Sequence, residues 1–122
     1  MNLSSAGLKF LIVDDNSEMR QTLARYIRAE GDEIYECDDG SEAPALYQKL
    51  RPDWVLMDIN MKRVGGIEAT AKILGSDPGA RVIIVTDYGD KFFRRAAQEA
   101  GARYFITKEN LAELPSIVGR GI

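Results

Sequence analysis

Five polar residues stand at the ends of short apolar runs and could share one chemical task. They are two adjacent acids after the first run, an acid after the third, a hydroxyl after the fourth and an amine just beyond the fifth: Asp14, Asp15, Asp58, Thr86 and Lys108. Taken singly, an acid in such a place is more often a helix cap, and a threonine there is favoured simply by β-structure. Their joint occurrence at four run ends is hard to explain by capping.

Three carboxylates brought to one place require a cation. Two carboxylates about 4 Å apart repel by roughly 4 kcal/mol at an effective dielectric constant near 20. All-oxygen ligands with spare water positions suit Mg²⁺, which also binds phosphate readily. A carboxylate attacks an anionic phosphoryl group poorly unless a metal ion and a lysine neutralise both partners. The pattern therefore predicts Mg²⁺-assisted phosphoryl transfer, with the threonine hydroxyl bonding the product.

The apolar runs that carry these residues are too short for helices, and most are rich in β-branched or aromatic residues, which predicts strands. They are Phe10–Val13, Ile34–Cys37, Trp54–Met57, Val82–Val85 and Tyr104–Ile106. The segments between them have apolar residues at helical spacing. Strands alternating with amphipathic helices predict a parallel α/β sheet covered on both faces, in one domain over residues 1–122. Ligands of such sheets bind outside the carboxyl ends of the strands, where the five polar residues lie.

Glycine and proline mark the expected helix ends. Gly31, Gly75 and Gly101 stand where helices should stop. Pro115 lacks a backbone donor and would interrupt a helix running from Glu109 onward. We therefore expect a turn over Leu111–Leu114 and a short terminal helix that Pro115 opens.

Composition narrows the function classes. The 122 residues are 45% hydrophobic and 29% charged with a net charge of −3, as in a soluble globular domain that lacks a wide basic surface for nucleic acid. The absence of histidine excludes His-based zinc sites and Ser-His or Cys-His nucleophiles. No apolar run approaches the ~20 residues of a membrane span, and no secretory leader is evident. The single cysteine, Cys37, is predicted to pack in the core and fits a reducing cytoplasm.

Other ligands of α/β sheets fit the sequence less well. A flavin phosphate loop after the first strand would be rich in hydroxyls and amides, whereas two acids occupy that place. No G-x-G-x-x-G follows the first strand, so a dinucleotide site is unsupported. Gly65 and Gly66 are better interpreted as a turn before the third helix. A Mg²⁺-dependent phosphatase could use similar acids, but it would need a substrate pocket that this short chain does not suggest.

The residues resemble the receiver domains of bacterial response regulators. The matching stretches follow the family's order through nearly the whole chain: Phe10–Asn16, Asp58–Met61 through Gly66–Ala69, Ile83–Thr86 and Gly101–Lys108. The resemblance implies a doubly wound, flavodoxin-like sheet of five parallel strands in the order 2-1-3-4-5, with helices on both faces.

The resemblance also implies a role for each site residue. Asp58 would be the phosphoacceptor and would ligate Mg²⁺ directly together with Asp15. Asp14 would act on the ion largely through water, and the backbone carbonyl of Asn60 would complete the protein ligands.

Two further residues would bind the phosphoryl oxygens: Thr86 and Lys108. Thr86 would also act with the aromatic switch position. That position is Phe105, which lacks the hydroxyl of the tyrosine more common in the family. The neighbouring Tyr104 is not expected to be the switch.

Three residues depart from the family pattern. Lys62 replaces a usual proline after the phosphoacceptor, and Glu109 replaces a frequent proline after Lys108. Asp87 follows Thr86 where a small residue is usual. It would add a negative charge that slows anionic phosphodonors, unless it turns outward and caps the next helix.

The implied function is a phosphorylation-driven signalling switch in the cytoplasm, and not an enzyme. A histidine kinase or phosphotransfer protein would supply the phosphoryl group, and no nucleic acid or membrane is expected to bind this domain. An output domain or downstream protein would dock on the face formed by helix four, strand five and helix five, and a phosphorylation-linked homodimer is possible. Basic residues near this face favour an acidic partner or are simply solvated, and one of Phe92 and Phe93 should face outward. The alternative is an unphosphorylated pseudo-receiver that acts as a protein-interaction module, although retention of all five site residues argues against it.

Overall fold

Five parallel strands form one sheet in the computed structural model of the chain, which describes residues 7–61, 65–87, 89 and 91–119. The strands β1 to β5 are Lys9–Val13, Glu33–Cys37, Trp54–Met57, Val82–Thr86 and Tyr104–Thr107. The helices α1 to α4 are Ser17–Ile27, Ala43–Leu50, Gly66–Ser76 and Lys91–Ala100. A 3₁₀ helix, Lys108–Glu113, leads into α5, Leu114–Ile117. The strand order is β2-β1-β3-β4-β5, which confirms the predicted doubly wound sheet.

The sheet has a hydrophobic core on each face, because alternate strand residues point to opposite sides. On one side Leu11 and Val13 pack with residues of α2, α3 and α4. On the other, Phe10 and Ile12 pack with residues of α1 and α5. The three central strands are covered on both faces, which explains why they read as continuous apolar runs rather than alternating patterns.

The helix ends agree with two of the three glycine predictions. Gly101 follows α4 with a φ of 102°, and Gly31 lies in the turn after α1 with a φ of 90°. The prediction for Gly75 is wrong, since α3 continues through it to Ser76 and ends on Asp77. A side-chain carbon on Gly75 would meet nothing within 4 Å, so neither space nor backbone conformation requires glycine there.

The last helical segment is interrupted just before Pro115, and a short terminal helix begins there, as predicted. Pro115 lies in the first turn of α5, where its missing N–H leaves no hydrogen bond unmade. The preceding turn is longer than expected, since the 3₁₀ helix begins at Lys108. Leu111 and Leu114 are buried and fix both short helices to the core. This anchoring gives Lys108 a rigid backbone directly after β5.

The amino end of the sheet holds an aromatic cluster far from the predicted site. Trp54 begins β3 and is only 5% exposed, so it lies in the core. The guanidinium carbon of Arg81 lies 4.3 Å from the centre of the Trp54 ring system. Tyr104 lies beside it, with ring centres 6.2 Å apart. Contacts between aromatic rings, and between a ring and a guanidinium group, stabilise the edge of the core.

Cys37 is buried at the end of β2, which confirms its predicted packing role. Its thiol donates a hydrogen bond to the backbone carbonyl of Asp39, 3.1 Å away, and burial raises the pKa of the thiol above its usual value. Within the part of the chain that the structure describes, no helix has the length and apolar character needed to cross a membrane.

Candidate functional site

Three acids converge at the carboxyl ends of β1 and β3. These strands are neighbours, and Val13 pairs with Met57, so the residues that follow them lie side by side. One carboxylate oxygen from each of Asp14, Asp15 and Asp58 lies within 4.8 Å of the others. Asp14 and Asp58 are buried, whereas Asp15 is exposed. The predicted convergence of the three acids is therefore what the fold produces.

The acids after β1 are not the caps of α1. That role belongs to Asn16, whose side-chain oxygen accepts a hydrogen bond of 2.9 Å from the backbone N–H of Met19. Asp14 Oδ1 accepts the N–H of Asn16 at 2.9 Å, which turns the other oxygen, Oδ2, into the cluster. Asp14 Oδ2 is buried and receives no well-aligned hydrogen bond from the described residues, and its charged neighbour is Lys108, whose Nζ lies 3.4 Å away. The local capping thus turns one buried oxygen of Asp14 towards the other two acids and towards Lys108.

The cluster fits a small hard cation. Burial of a carboxylate oxygen without a hydrogen bond is unfavourable, and three carboxylates with oxygens within 4.8 Å of one another repel. Mg²⁺ prefers such oxygen ligands and keeps several water molecules, which the exposed side at Asp15 would admit. Asn60 lies exposed two residues beyond Asp58, and its backbone N–H hydrogen-bonds the Asp58 carboxylate. The role of the Asn60 carbonyl as a metal ligand stays a prediction.

Lys108 reaches the acids from the start of the 3₁₀ helix. Its Nζ lies 3.4 Å from Asp14 Oδ2 and 3.5 Å from Asp58 Oδ1. Burial alone would lower the pKa of the Lys108 ammonium, but the carboxylates of Asp58, Asp14 and Asp87 outweigh burial and raise it. Lys108 therefore stays charged at neutral pH and partly neutralises the cluster. Its binding of a phosphoryl oxygen stays a prediction.

Asp87 touches the site in a way that the sequence analysis missed. Its Oδ2 lies 3.8 Å from Lys108 Nζ. The signal was present in the strand pairing, since Thr86 pairs with Thr107 and the next residue on each strand is Asp87 or Lys108. Asp87 is thus both an added negative charge, as predicted, and an ion-pair partner of the lysine. Lys62, the other departure near Asp58, lies outside the described residues.

The two predicted switch residues lie on adjacent strands. Thr86 is the last residue of β4 and is fully buried. Phe105 in β5 is half-buried against the core formed with α2, α3 and α4. The guanidinium carbon of Arg94 in α4 lies 4.6 Å from the centre of the Phe105 ring. Tyr104 packs beside Trp54 instead, with ring centres 6.2 Å apart. The switch role of Thr86 and Phe105 stays a prediction.

Gly66 supports the site directly, in a way that the sequence pattern does not predict. The glycine pair does form the connection to the third helix, with Gly65 as the N-cap and Gly66 as the first residue of α3. A side-chain carbon on Gly66 would overlap the carbonyl group of Asp58. The Gly66 N–H also donates to the Ile59 carbonyl at 2.9 Å. Close backbone contact therefore fixes the chain just after the buried acid.

The pKa of Asp58 gives a testable prediction for the metal-free protein. Burial and then the charge of Asp14 raise this pKa to about 6, against the opposing attraction of Lys108. A raised folded-state pKa means that Asp58 stabilises the fold when protonated, and that this contribution is lost as pH rises towards about 6. In the presence of a chelator we expect Asp58→Asn to be more stable than the wild type by about 1–3 kcal/mol at neutral pH.

Circular-dichroism melting across the acidic range measures the effect. The stability advantage of Asp58→Asn should shrink as the pH falls to about 4, where the unfolded carboxylate is also protonated. An advantage that stays constant through this range would contradict the assigned cause.

Comparison with known proteins gives a consistent picture. The family model described as response regulator receiver domain matches residues 10–118. Chemotaxis protein CheY of Thermotoga maritima is 40% identical over 103 residues, covering 84% of this chain and 86% of that protein. Response regulator GacA of Pseudomonas aeruginosa is 37% identical over 83% of this chain, which spans 48% of that protein, about half its length. The crystal structure of a LuxR-family two-component response regulator from Aurantimonas sp. matches with a TM-score of 0.84 and 35% identity, over 93% of this chain and 86% of that one.

Proposed function

The chain belongs to the family of response regulator receiver domains, and we propose that it works as a switch driven by phosphorylation of Asp58. The phosphoryl donor would be a histidine kinase or a phosphotransfer protein. The observation that carries the proposal is the placement of the buried Asp58 carboxylate beside two further acids and 3.5 Å from the Lys108 ammonium. Each of these groups has a role in moving a phosphoryl group to a carboxylate.

Asp58 is the nucleophile of the proposed reaction. With a pKa of about 6 its carboxylate is ionised at neutral pH, and one oxygen attacks the phosphorus atom while the bond to the donor breaks. Asp14, Asp15 and Asp58, with the Asn60 carbonyl, would hold Mg²⁺, which when bound supplies positive charge opposite the phosphoryl oxygens.

Lys108 and Thr86 complete the proposed phosphoryl site. The Lys108 ammonium contacts Asp58 and Asp14 and is held on the 3₁₀ helix, so it can shift to a phosphoryl oxygen with little change in the backbone. Thr86 ends β4 at the same edge of the sheet and would donate its hydroxyl proton to another phosphoryl oxygen. These interactions stabilise charge that increases during transfer.

Movement of the Phe105 ring would transmit the phosphorylation state of Asp58 to the partner surface. A movement of Thr86 towards the phosphoryl group opens space that the Phe105 ring can fill. Phe105 has no hydroxyl, so its position is set by ring packing and by the Arg94 guanidinium rather than by a hydrogen bond of its own. Phosphorylation needs only to favour the active arrangement over the inactive one, because a ligand shifts populations by differential affinity.

The proposed partner surface is the face formed by α4, β5 and α5. Phe92 on α4 is 73% exposed, whereas Phe93 is half-buried, as predicted for adjacent aromatics. Exposed basic residues lie on the same part of the chain: Lys91, Arg94, Arg95 and Arg103. An output domain or downstream protein with an acidic surface would fit this face, and it also suits a phosphorylation-linked homodimer. The cytoplasmic location of the protein stays a prediction.

Acetyl phosphate treatment followed by intact-mass measurement tests the proposed function. With Mg²⁺ present we expect the wild-type protein to gain the mass of one phosphoryl group, and hydroxylamine should remove it, because an acyl phosphate is labile to that nucleophile. The matched control is the same incubation with a chelator, in which the gain should be absent. An unphosphorylated interaction module would show no gain under either condition. A phosphatase would instead turn over added phosphoesters, which a receiver should not do.

A further inference from the structure

Asp87 occupies the entrance to the proposed phosphorylation site. Its side chain is 69% exposed, whereas that of Lys108 is 15% exposed and that of Asp58 only 6%. Lys108 Nζ lies 3.5 Å from Asp58 Oδ1 and 3.8 Å from Asp87 Oδ2, so the two carboxylates are no farther apart than the sum of those distances. Lys108 therefore pairs with two carboxylates at once, the buried one of Asp58 and the exposed one of Asp87.

The approach of a phosphodonor places its leaving group on this outer side. In transfer to Asp58 the attacking oxygen and the leaving group lie roughly in line through phosphorus. Since Asp58 is buried and Asp87 is exposed, a donor that reaches Asp58 from solvent keeps its leaving group on the solvent side, where Asp87 also lies. Asp87 also competes with the incoming phosphoryl oxygens for Lys108. Both effects depend on the charge of the donor.

Phosphodonors differ in the charge that they bring to this position. Acetyl phosphate is a dianion at neutral pH, and its leaving group departs as acetate with the electron pair of the broken P–O bond. Phosphoramidate carries a protonated nitrogen, so its net charge is smaller, and ammonia departs with the electron pair of the broken P–N bond. In both cases one Asp58 oxygen forms the new P–O bond. A carboxylate at Asp87 repels the negative charge that develops on departing acetate. It attracts the protonated nitrogen of bound phosphoramidate, whose positive charge is lost only as ammonia departs.

We propose that Asp87 is a specificity-determining residue that disfavours anionic acyl phosphates relative to N-phosphoryl donors whose leaving nitrogen is positively charged. This inference rests on the proposed function, because it assumes that Asp58 accepts the phosphoryl group. For unit charges at this separation in a partly exposed site, the effect on the rate with acetyl phosphate is about three- to tenfold before screening by salt.

Rate constants for phosphorylation with acetyl phosphate and with phosphoramidate, at matched ionic strength, test the inference. Asp87→Asn keeps the size of the side chain and removes its charge. We expect it to raise the rate with acetyl phosphate by about three- to tenfold and to leave the rate with phosphoramidate unchanged or lower. The change in the ratio of the two rates should shrink at about 1 M salt, where the screening length is about 3 Å.

Glu109→Gln is the matched control, since Glu109 is an exposed acid next to Lys108 in the chain. It should leave the ratio of rates unchanged. An equal change for both donors in Asp87→Asn, or the same change in Glu109→Gln, would overturn the inference. Unchanged rates with a lower melting temperature would overturn it too, and would show that Asp87 caps α4. Failure of the wild type to react with either donor would instead refute the proposed function.

Discussion

Asp58→Asn is expected to lose the phosphoryl gain from acetyl phosphate completely. Asparagine matches the size of aspartate, so it fits the buried position, but its neutral amide oxygen is a much weaker nucleophile than a carboxylate. It also removes the anionic oxygen that lies 3.5 Å from Lys108 Nζ. Intact-mass measurement after incubation with acetyl phosphate and Mg²⁺ gives the answer directly.

The control for this variant is Asp38→Asn. Asp38 is an exposed acid that follows β2 at the same edge of the sheet, outside the cluster of Asp14, Asp15 and Asp58. It should be phosphorylated as the wild type is, because it changes the local charge without touching the acceptor. A normal, hydroxylamine-sensitive gain in Asp58→Asn would mean that another carboxylate is the acceptor.

Gly66→Ala is expected to damage both the fold and the site. The added methyl group would overlap the Asp58 carbonyl and lie 2.9 Å from Met57 Cγ, so the backbone that carries Asp58 must move. Overpacking against buried backbone costs about 2–3 kcal/mol, which lowers the melting temperature by roughly 10 °C in a domain of this size. A small displacement of the nucleophile should also slow phosphorylation by at least about tenfold at temperatures where the variant is folded.

Gly75→Ala is the matched control, because it adds the same methyl group to α3 at a position without a close neighbour. The position is exposed, lies within the last turn of the helix and has open space around it. Alanine there should stabilise the protein by about 0.5 kcal/mol through helix propensity, with phosphorylation unchanged. Thermal melts and phosphorylation rates are measured for both variants, and only Gly66→Ala should show a loss in each. Equal stability of both would contradict the close packing at Gly66.

The strands and the convergence of the acids could be predicted because they depend on simple patterns. Apolar runs covered on both faces are conspicuous in the sequence, and parallel strands bring the residues after Val13 and Met57 to one edge. The strand order came from the resemblance to a family and not from periodicity. The roles of Asn60, Thr86 and Phe105 rest on the same resemblance and stay predictions.

The features that sequence reasoning missed depend on tertiary contacts. Glycine favours helix ends and so predicts one at Gly75, but α3 ends one residue later, where the Asp77 backbone N–H donates to the Ile73 carbonyl. The contact of Asp87 with Lys108 required the register of β4 against β5. The demand for glycine at position 66 arises from the approach of α3 to the Asp58 carbonyl, a distance that local sequence does not encode.

The stacking of Arg81 on Trp54 determines what the intrinsic fluorescence of this protein reports. Trp54 is the single tryptophan, so its emission comes from one place in the sheet. It precedes Asp58 by the full length of β3, about 13 Å at the rise of an extended strand. Its spectrum should therefore follow loss of the Arg81 stack and exposure of the core on unfolding, and should respond weakly to ions bound at the acids. Tryptophan fluorescence should thus report unfolding and should change little when an ion binds at the three acids.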